Sequence, residues 1–82
     1  MPGTLLLGID VGTTWCKAAV VDTEGRERST GRARTPWVRV TEGTELDPSE
    51  LERAVEAAAN DALRLAPEGP IAAVGVASMA ET

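Results

Sequence analysis

The chain has no histidine, no phenylalanine, no tyrosine and a single cysteine among its 82 residues. Each absence removes a class of function. Without histidine there is no imidazole base and no imidazole metal ligand. One cysteine, Cys16, cannot form an internal disulfide, which fits a reduced compartment. The only aromatic residues are Trp15 and Trp37, and 13 of the hydrophobic residues are alanine, so the side chains that deepen a core are few. A chain this short and this rich in alanine is expected to be part of something larger. An excess of positive charge is also missing. The net charge of −5 argues against nucleic acid or an anionic membrane as a partner. No apolar run reaches the roughly 18 residues of a membrane span. The opening "MPGT" carries neither the basic nor the long apolar region of a signal peptide. Cytoplasm is the expected location.

What is present begins with Leu5–Ile9, a continuous apolar run of the kind a central strand shows when both faces are covered. Trp15–Val21 is a second run, closed by the turn sequence "DTEG" (22–25). Both connections are too short for a helix, so an antiparallel meander with Arg26–Thr35 is expected. Arg26, Arg28, Arg32 and Arg34 share one parity and hence one face. That stripe reads either as a phosphate-binding surface or as the solvated face of an edge strand, the latter favoured by the acidic total charge. Residues 36–45 read as a loop. "DPSE" (47–50) starts a helix, with Asp47 as N-cap, Pro48 at the first position and Glu50 closing a capping box. Leu51, Val55, Ala58, Ala62 and Leu65 form a narrow stripe of mostly small residues, suited to close packing on a sheet. "APEGP" (66–70) stops the helix, and Ile71–Ala77 is a final strand. The order β-β-β-α-β predicts an α/β fold with a mixed sheet, the last strand parallel to the first or near it.

The chemistry concentrates in "GIDVGTTWCKAAVVD" (8–22). A plain hairpin turn requires neither Asp10 nor Lys17. Gly12 can adopt positive φ and admits close approach of a ligand to its backbone. The N–H groups of Gly12, Thr13 and Thr14 can converge on phosphate oxygens, the two threonines add hydroxyl donors, and Lys17 adds a positive charge. Asp10 would repel phosphate unless a cation lies between them, which implies Mg²⁺ held through water. The turn leads into a strand, so it is not a Walker loop, which opens a helix with Gly-Lys-Ser/Thr.

This segment resembles the first phosphate motif of the actin-like ATPase superfamily, whose ribonuclease H-like domain opens with β-β-β-α-β. Within that superfamily the chain most resembles the FGGY carbohydrate kinases, through three segments in order. They are the 8–22 hairpin; "ELDP" (45–48), similar to the family's Glu-X-Asp-Pro helix start; and "VGVASMAET" (74–82), similar to the strand and sugar-contacting loop that glycerol kinases write Gly-Ile-Thr-Asn-Gln-Arg-Glu-Thr. The likeness implies ATP-dependent phosphorylation of a sugar or polyol hydroxyl. It makes Asp10 the Mg²⁺-associated aspartate, Gly12, Thr13 and Thr14 the phosphate cradle, and Lys17 a cation near the transferred phosphoryl group. It makes Met79, Ala80 and Glu81 part of the sugar site, with Glu81 on the substrate hydroxyls. Ala80 stands where glycerol kinases have arginine, so the identity of the sugar does not carry over. It leaves a homodimer of the full-length protein open.

A complete kinase also needs a proton acceptor, a second phosphate loop and an adenosine pocket. None is legible in these residues, which are therefore expected to be the N-terminal part of the first kinase domain, inactive alone and without a catalytic residue of their own. Rival readings are an activator ATPase of the dehydratase type and a chaperone- or actin-like nucleotide switch, both of which use a similar turn. Of the remaining residues, Trp15 reads as packing more than as a shield for phosphate, and Cys16 as a small buried hydrophobe. Trp37 reads as an anchor for its loop and Glu45 as a structural residue at the helix entry. Met79 either lines the sugar pocket or caps the strand end.

Overall fold

Alternation of buried and exposed residues along the first strand sets the architecture. In the computed structural model, which describes residues 3–78, β1 (Leu5–Val11) buries Leu5, Leu7 and Val11 and exposes Leu6, Gly8 and Asp10. The strand is thus covered on one face, not on both as its unbroken apolar run suggested. β2 (Trp15–Asp22) and β3 (Glu27–Arg34) follow as an antiparallel meander. A helix, α1 (Pro48–Leu65), crosses over to β6 (Ile71–Ser78), which pairs parallel to β1. The sheet order is β3-β2-β1-β6, a mixed sheet with one helix on one face. This is a small α/β protein. No helix among the described residues is long and apolar enough to cross a membrane.

The segment read as a loop instead forms a hairpin of its own, β4 (Trp37–Val40) and β5 (Gly43–Leu46). Gly43, at φ 135°, supplies the turn conformation that other residues rarely adopt. Strands of four residues each are too short a pattern to separate from a loop in sequence.

α1 starts as its sequence indicates. Asp47 is the N-cap, its Oδ1 accepting the Ser49 N–H at 2.9 Å, with Pro48 at the first position. Glu50 does not close a capping box; its carboxylate pairs with Arg53 one turn on. The buried face is Ala54, Ala58 and Ala62. Leu51 and Val55 are only partly buried, and Leu65 is 64% exposed, so the stripe lies rotated from the expected one. The reason is proximity. α1 lies so close to β3 that a Cβ at Gly31 would sit 2.2 Å from the Ala58 carbonyl oxygen and 2.7 Å from the Asp61 Cβ. Only alanines fit against that surface, and the leucines are displaced to its margins. Ser29 Oγ fixes the contact by donating to the Ala62 carbonyl at 2.6 Å. The core beneath is Leu5, Leu7, Ala18 and Val20, continued by Val11 and the fully buried Cys16.

The arginine stripe does not stay on one face. The β2–β3 register skips Arg28, pairing Val20 with Ser29 and Val21 with Glu27. This bulge turns the strand's first residues relative to the rest. Arg26 and Arg28 converge on Asp22 Oδ2 at 3.1 and 3.3 Å, whereas Arg32 and Arg34 lie over the Trp15 ring. Asp22 is the knot of the β2–β3 turn. Its Oδ1 accepts the backbone N–H groups of Glu24 and Arg26, each at 2.9 Å, while Gly25 takes φ 83°. The Arg26 backbone N–H, more than any other group, holds the Asp22 carboxyl below its ordinary range.

Two outcomes follow from this packing. Gly31→Ala should destabilise the fold by about 1–3 kcal/mol in urea denaturation, because the new methyl meets helix backbone. Gly75→Ala, which meets nothing within 4 Å, should change stability by about 0.5 kcal/mol or less. Equal effects at the two positions would contradict the close helix–sheet approach. The second outcome concerns acid. A lowered folded-state pKa means that the Asp22 carboxylate stabilises the fold above the ordinary aspartate range and stops doing so as pH falls through the lowered value. The melting temperature of Asp22→Asn should therefore lie below that of the native chain at neutral pH and converge with it in acid. Parallel pH profiles would disprove the role.

Candidate functional site

The expected site residues on β1 and β2 meet on the face of the sheet that α1 leaves open. Asp10 and Lys17 are direct cross-strand partners, and Lys17 is in turn the partner of Arg32 on β3. Residues in register share a face, so the three charged side chains stand in a row across three strands. On the other side of Asp10 its partner is Ala77 of β6. The row borders a trough of about 970 Å³ lined also by Gly8, Ala19, Thr30 and Gly75. Small residues at those positions give the sheet surface its depth.

Gly12, Thr13 and Thr14 lie at the end of the row, in the turn between β1 and β2, and do not line the trough itself. The Gly12 N–H is not part of a phosphate cradle, because it donates to the Trp15 carbonyl at 3.0 Å and closes the hairpin. Gly12 is not among the positive-φ glycines either. It is needed because a Cβ there would stand 2.8 Å from the Trp15 carbonyl oxygen. The cradle reduces to Thr13 and Thr14, both exposed.

The segment 35–37 holds those two residues in position. Thr35 Oγ1 donates to the Gly12 carbonyl at 2.7 Å, Trp37 Nε1 to the Thr13 carbonyl at 2.6 Å, and the Thr35 backbone N–H to the Thr14 carbonyl at 2.9 Å. In a trans peptide the N–H points opposite to the C=O. Tying back the Gly12 and Thr13 carbonyls therefore aims the Thr13 and Thr14 N–H groups away from the tether. Since the Thr35 hydroxyl spends its proton on Gly12, the Cys16 thiol is the donor in their buried 3.7 Å contact. Cys16 is thus a support behind the turn. Sequence reasoning named Trp37 as an anchor for its own loop but missed that it anchors the phosphate turn, and missed Thr35 entirely. Hydrogen bonds between distant segments leave no local pattern to read.

The donor set suits some cations and not others. Among the described residues no three His, Cys, Asp or Glu side chains cluster to form a cage. Asp10 is the one carboxylate in the row, and Glu27, the other acidic residue on the trough, is paired with Val21 farther along the sheet. One carboxylate, with remaining positions left to water and phosphate oxygens, is the way Mg²⁺ is commonly held beside a nucleotide, and it would hold Ca²⁺ or Zn²⁺ poorly. Met79, Ala80 and Glu81 lie outside the described residues. No protein-family model matches the chain, and no curated protein matches it.

The tether predicts a graded response. Trp37→Phe keeps the ring and removes one donor, so amide exchange at Thr35, whose N–H donates to the Thr14 carbonyl, should quicken while β1 and β2 amides stay protected. Thr35→Val removes the hydroxyl and should cost about 1–2 kcal/mol, with Thr35→Ser retaining most of the stability. Unchanged exchange in Trp37→Phe would show that the turn is rigid without its tether.

Proposed function

We propose that this segment is the phosphate-binding part of an ATP-dependent kinase of a sugar or polyol, of the FGGY kind, within a ribonuclease H-like domain. What supports the reading most is the direct pairing of Asp10 with Lys17 at the mouth of the trough, beside a turn whose carbonyls are tied back from behind. A plain hairpin gains a little from such a charged pair but does not require the pair and a tied-back turn together. The strand order β3-β2-β1-β6, with a helical crossover into a parallel strand, agrees with the opening of such a domain. The β4–β5 hairpin lies between the third strand and the helix.

On this reading the Thr13 and Thr14 amides and hydroxyls bind terminal phosphate oxygens, and Lys17 neutralises charge at the transferred group. Asp10 holds Mg²⁺ through water, and the bound cation supplies charge neutralisation between carboxylate and phosphate. Glu81 takes sugar hydroxyls, with Met79 and Ala80 beside it, by likeness to the family's substrate loop. The proton acceptor and adenosine pocket belong to other parts of such an enzyme.

Asp10→Asn tests this directly. Without Mg²⁺ the change removes a like charge, so ATP should bind the variant at least as well as the native chain. With Mg²⁺ the order should reverse. In the enzyme containing the segment, turnover at saturating sugar should fall by about two to three orders of magnitude, with little change in sugar KM. Near-normal turnover across all Mg²⁺ concentrations would reject the metal–phosphate role of Asp10. Nucleotide hydrolysis indifferent to every sugar and polyol would favour an activator or switch ATPase.

A further inference from the structure

We propose that Arg32 is a second phosphate-binding cation of this site, held ready on the Trp15 ring, and that the site takes a polyphosphate chain bridging Lys17 and Arg32. The inference rests on the phosphate-site reading above and extends it to a residue outside the turn. Its basis is register: Lys17 and Arg32 are direct partners on β2 and β3, both line the trough, and both stand on its open face. Neighbouring strands lie about 4.8 Å apart, a separation that successive phosphate groups can span.

The four arginines of the 26–34 segment divide cleanly. Arg26 and Arg28 are committed to Asp22. Arg34 pairs in register with Trp15, one step beyond the trough, which it does not line. Arg32 alone of the four reaches both the row and the trough. Its guanidinium carbon lies 4.4 Å from the Trp15 ring centroid, nearer than that of Arg34 at 5.4 Å. A guanidinium stacked on an indole is oriented through its face, while the N–H donors at its edge remain available for bidentate contact with phosphate. Trp15 thus keeps a long, flexible side chain from wandering before the anion arrives.

Charge argues the same way. The trough is lined by two cations and two carboxylates, in a chain whose net charge is −5, and the two cations stand in register with each other. Two cations facing one trough repel each other, and an anion placed between them relieves that repulsion. Glu27 also lines the trough, opposite Val21 and five positions along β3 from Arg32. Replacing the tryptophan stack with a strong carboxylate pair would have locked the arginine. The indole orients it and leaves its charge unneutralised.

The experiment titrates the chain with inorganic tripolyphosphate and with orthophosphate, each with Mg²⁺, reading heat and the Trp15 and Trp37 indole N–H resonances. Tripolyphosphate should shift the Trp15 resonance and bind at least tenfold more tightly than orthophosphate. Arg32→Ala should weaken tripolyphosphate about tenfold and abolish the Trp15 shift. Arg32→Lys should recover part of the affinity, and Arg34→Ala should change it less than twofold. Arg32 is exposed, so its variants should melt with the native chain; if Arg32→Ala melts lower, Arg32→Lys and Arg34→Ala carry the comparison. Should Lys17→Ala weaken binding while Arg32→Ala does not, the Arg32 inference fails and the underlying site stands. Equal losses in Arg32→Ala and Arg34→Ala would replace a site with a diffuse basic strand, and equal affinity for the two anions would remove the bridge. Absence of binding by either anion to the native chain would overturn both the inference and the reading beneath it.

Discussion

The contact between the α1 backbone and Gly31 governs the layout of the protein. Because the helix meets β3 at a distance no side chain can enter, its buried face must be alanine, and its larger residues fall to the margins. Close approach compensates in contact density for what small side chains lack in area. It also draws the helix over β2 and β3 and leaves Val74 and Val76 of β6 uncovered, at 56% and 66% exposure. All of the well-buried apolar surface is therefore spent on one side of the sheet. The other side is free to hold Asp10, Lys17 and Arg32 above a floor of glycine and alanine. A bulkier core on both faces would have filled the trough.

The turn shows how a hairpin becomes a binding element without unusual backbone. Its glycine serves steric clearance, not an unusual φ. Orientation of the Thr13 and Thr14 amides comes from two hydrogen bonds supplied by the side chains of Thr35 and Trp37, more than twenty positions away. Preorganisation of that sort matters for anion binding, since amides already aimed need no ordering when the ligand arrives.

Local signals in the sequence carried the meander, the helix start and the parallel return, because turn residues, an N-cap and connection lengths are written in neighbouring positions. The pairing of Asp10 with Lys17 could be anticipated for the same reason: both flank one turn. What could not be read were facts decided between distant segments. Whether a run such as Leu5–Ile9 is covered on one face or two depends on where a single helix settles. The bulge at Arg28 divides four arginines of equal spacing into two groups, and parity counting has no means of detecting a skipped residue. The Leu51–Leu65 stripe held at Ala58 and Ala62 but missed Ala54 and misplaced Leu65, since it ranked residues by hydrophobicity while the Gly31 contact selects by size.

β6 and β3 are the two edges of the sheet. β3 carries Glu27, Arg28, Arg32 and Arg34, whereas Ile71–Ser78 has no charged residue and is exposed along its whole length. Charge deters sheet growth at the first edge, and nothing comparable does so at the second. The sheet is in effect polar in its capacity to be extended. The permissive edge is also the one that borders Asp10, through Ala77. Any strand laid against β6 would raise the near bank of the trough beside Asp10. Completing the sheet and shaping the site would then be a single event, and the affinity of one would be thermodynamically linked to the stability of the other.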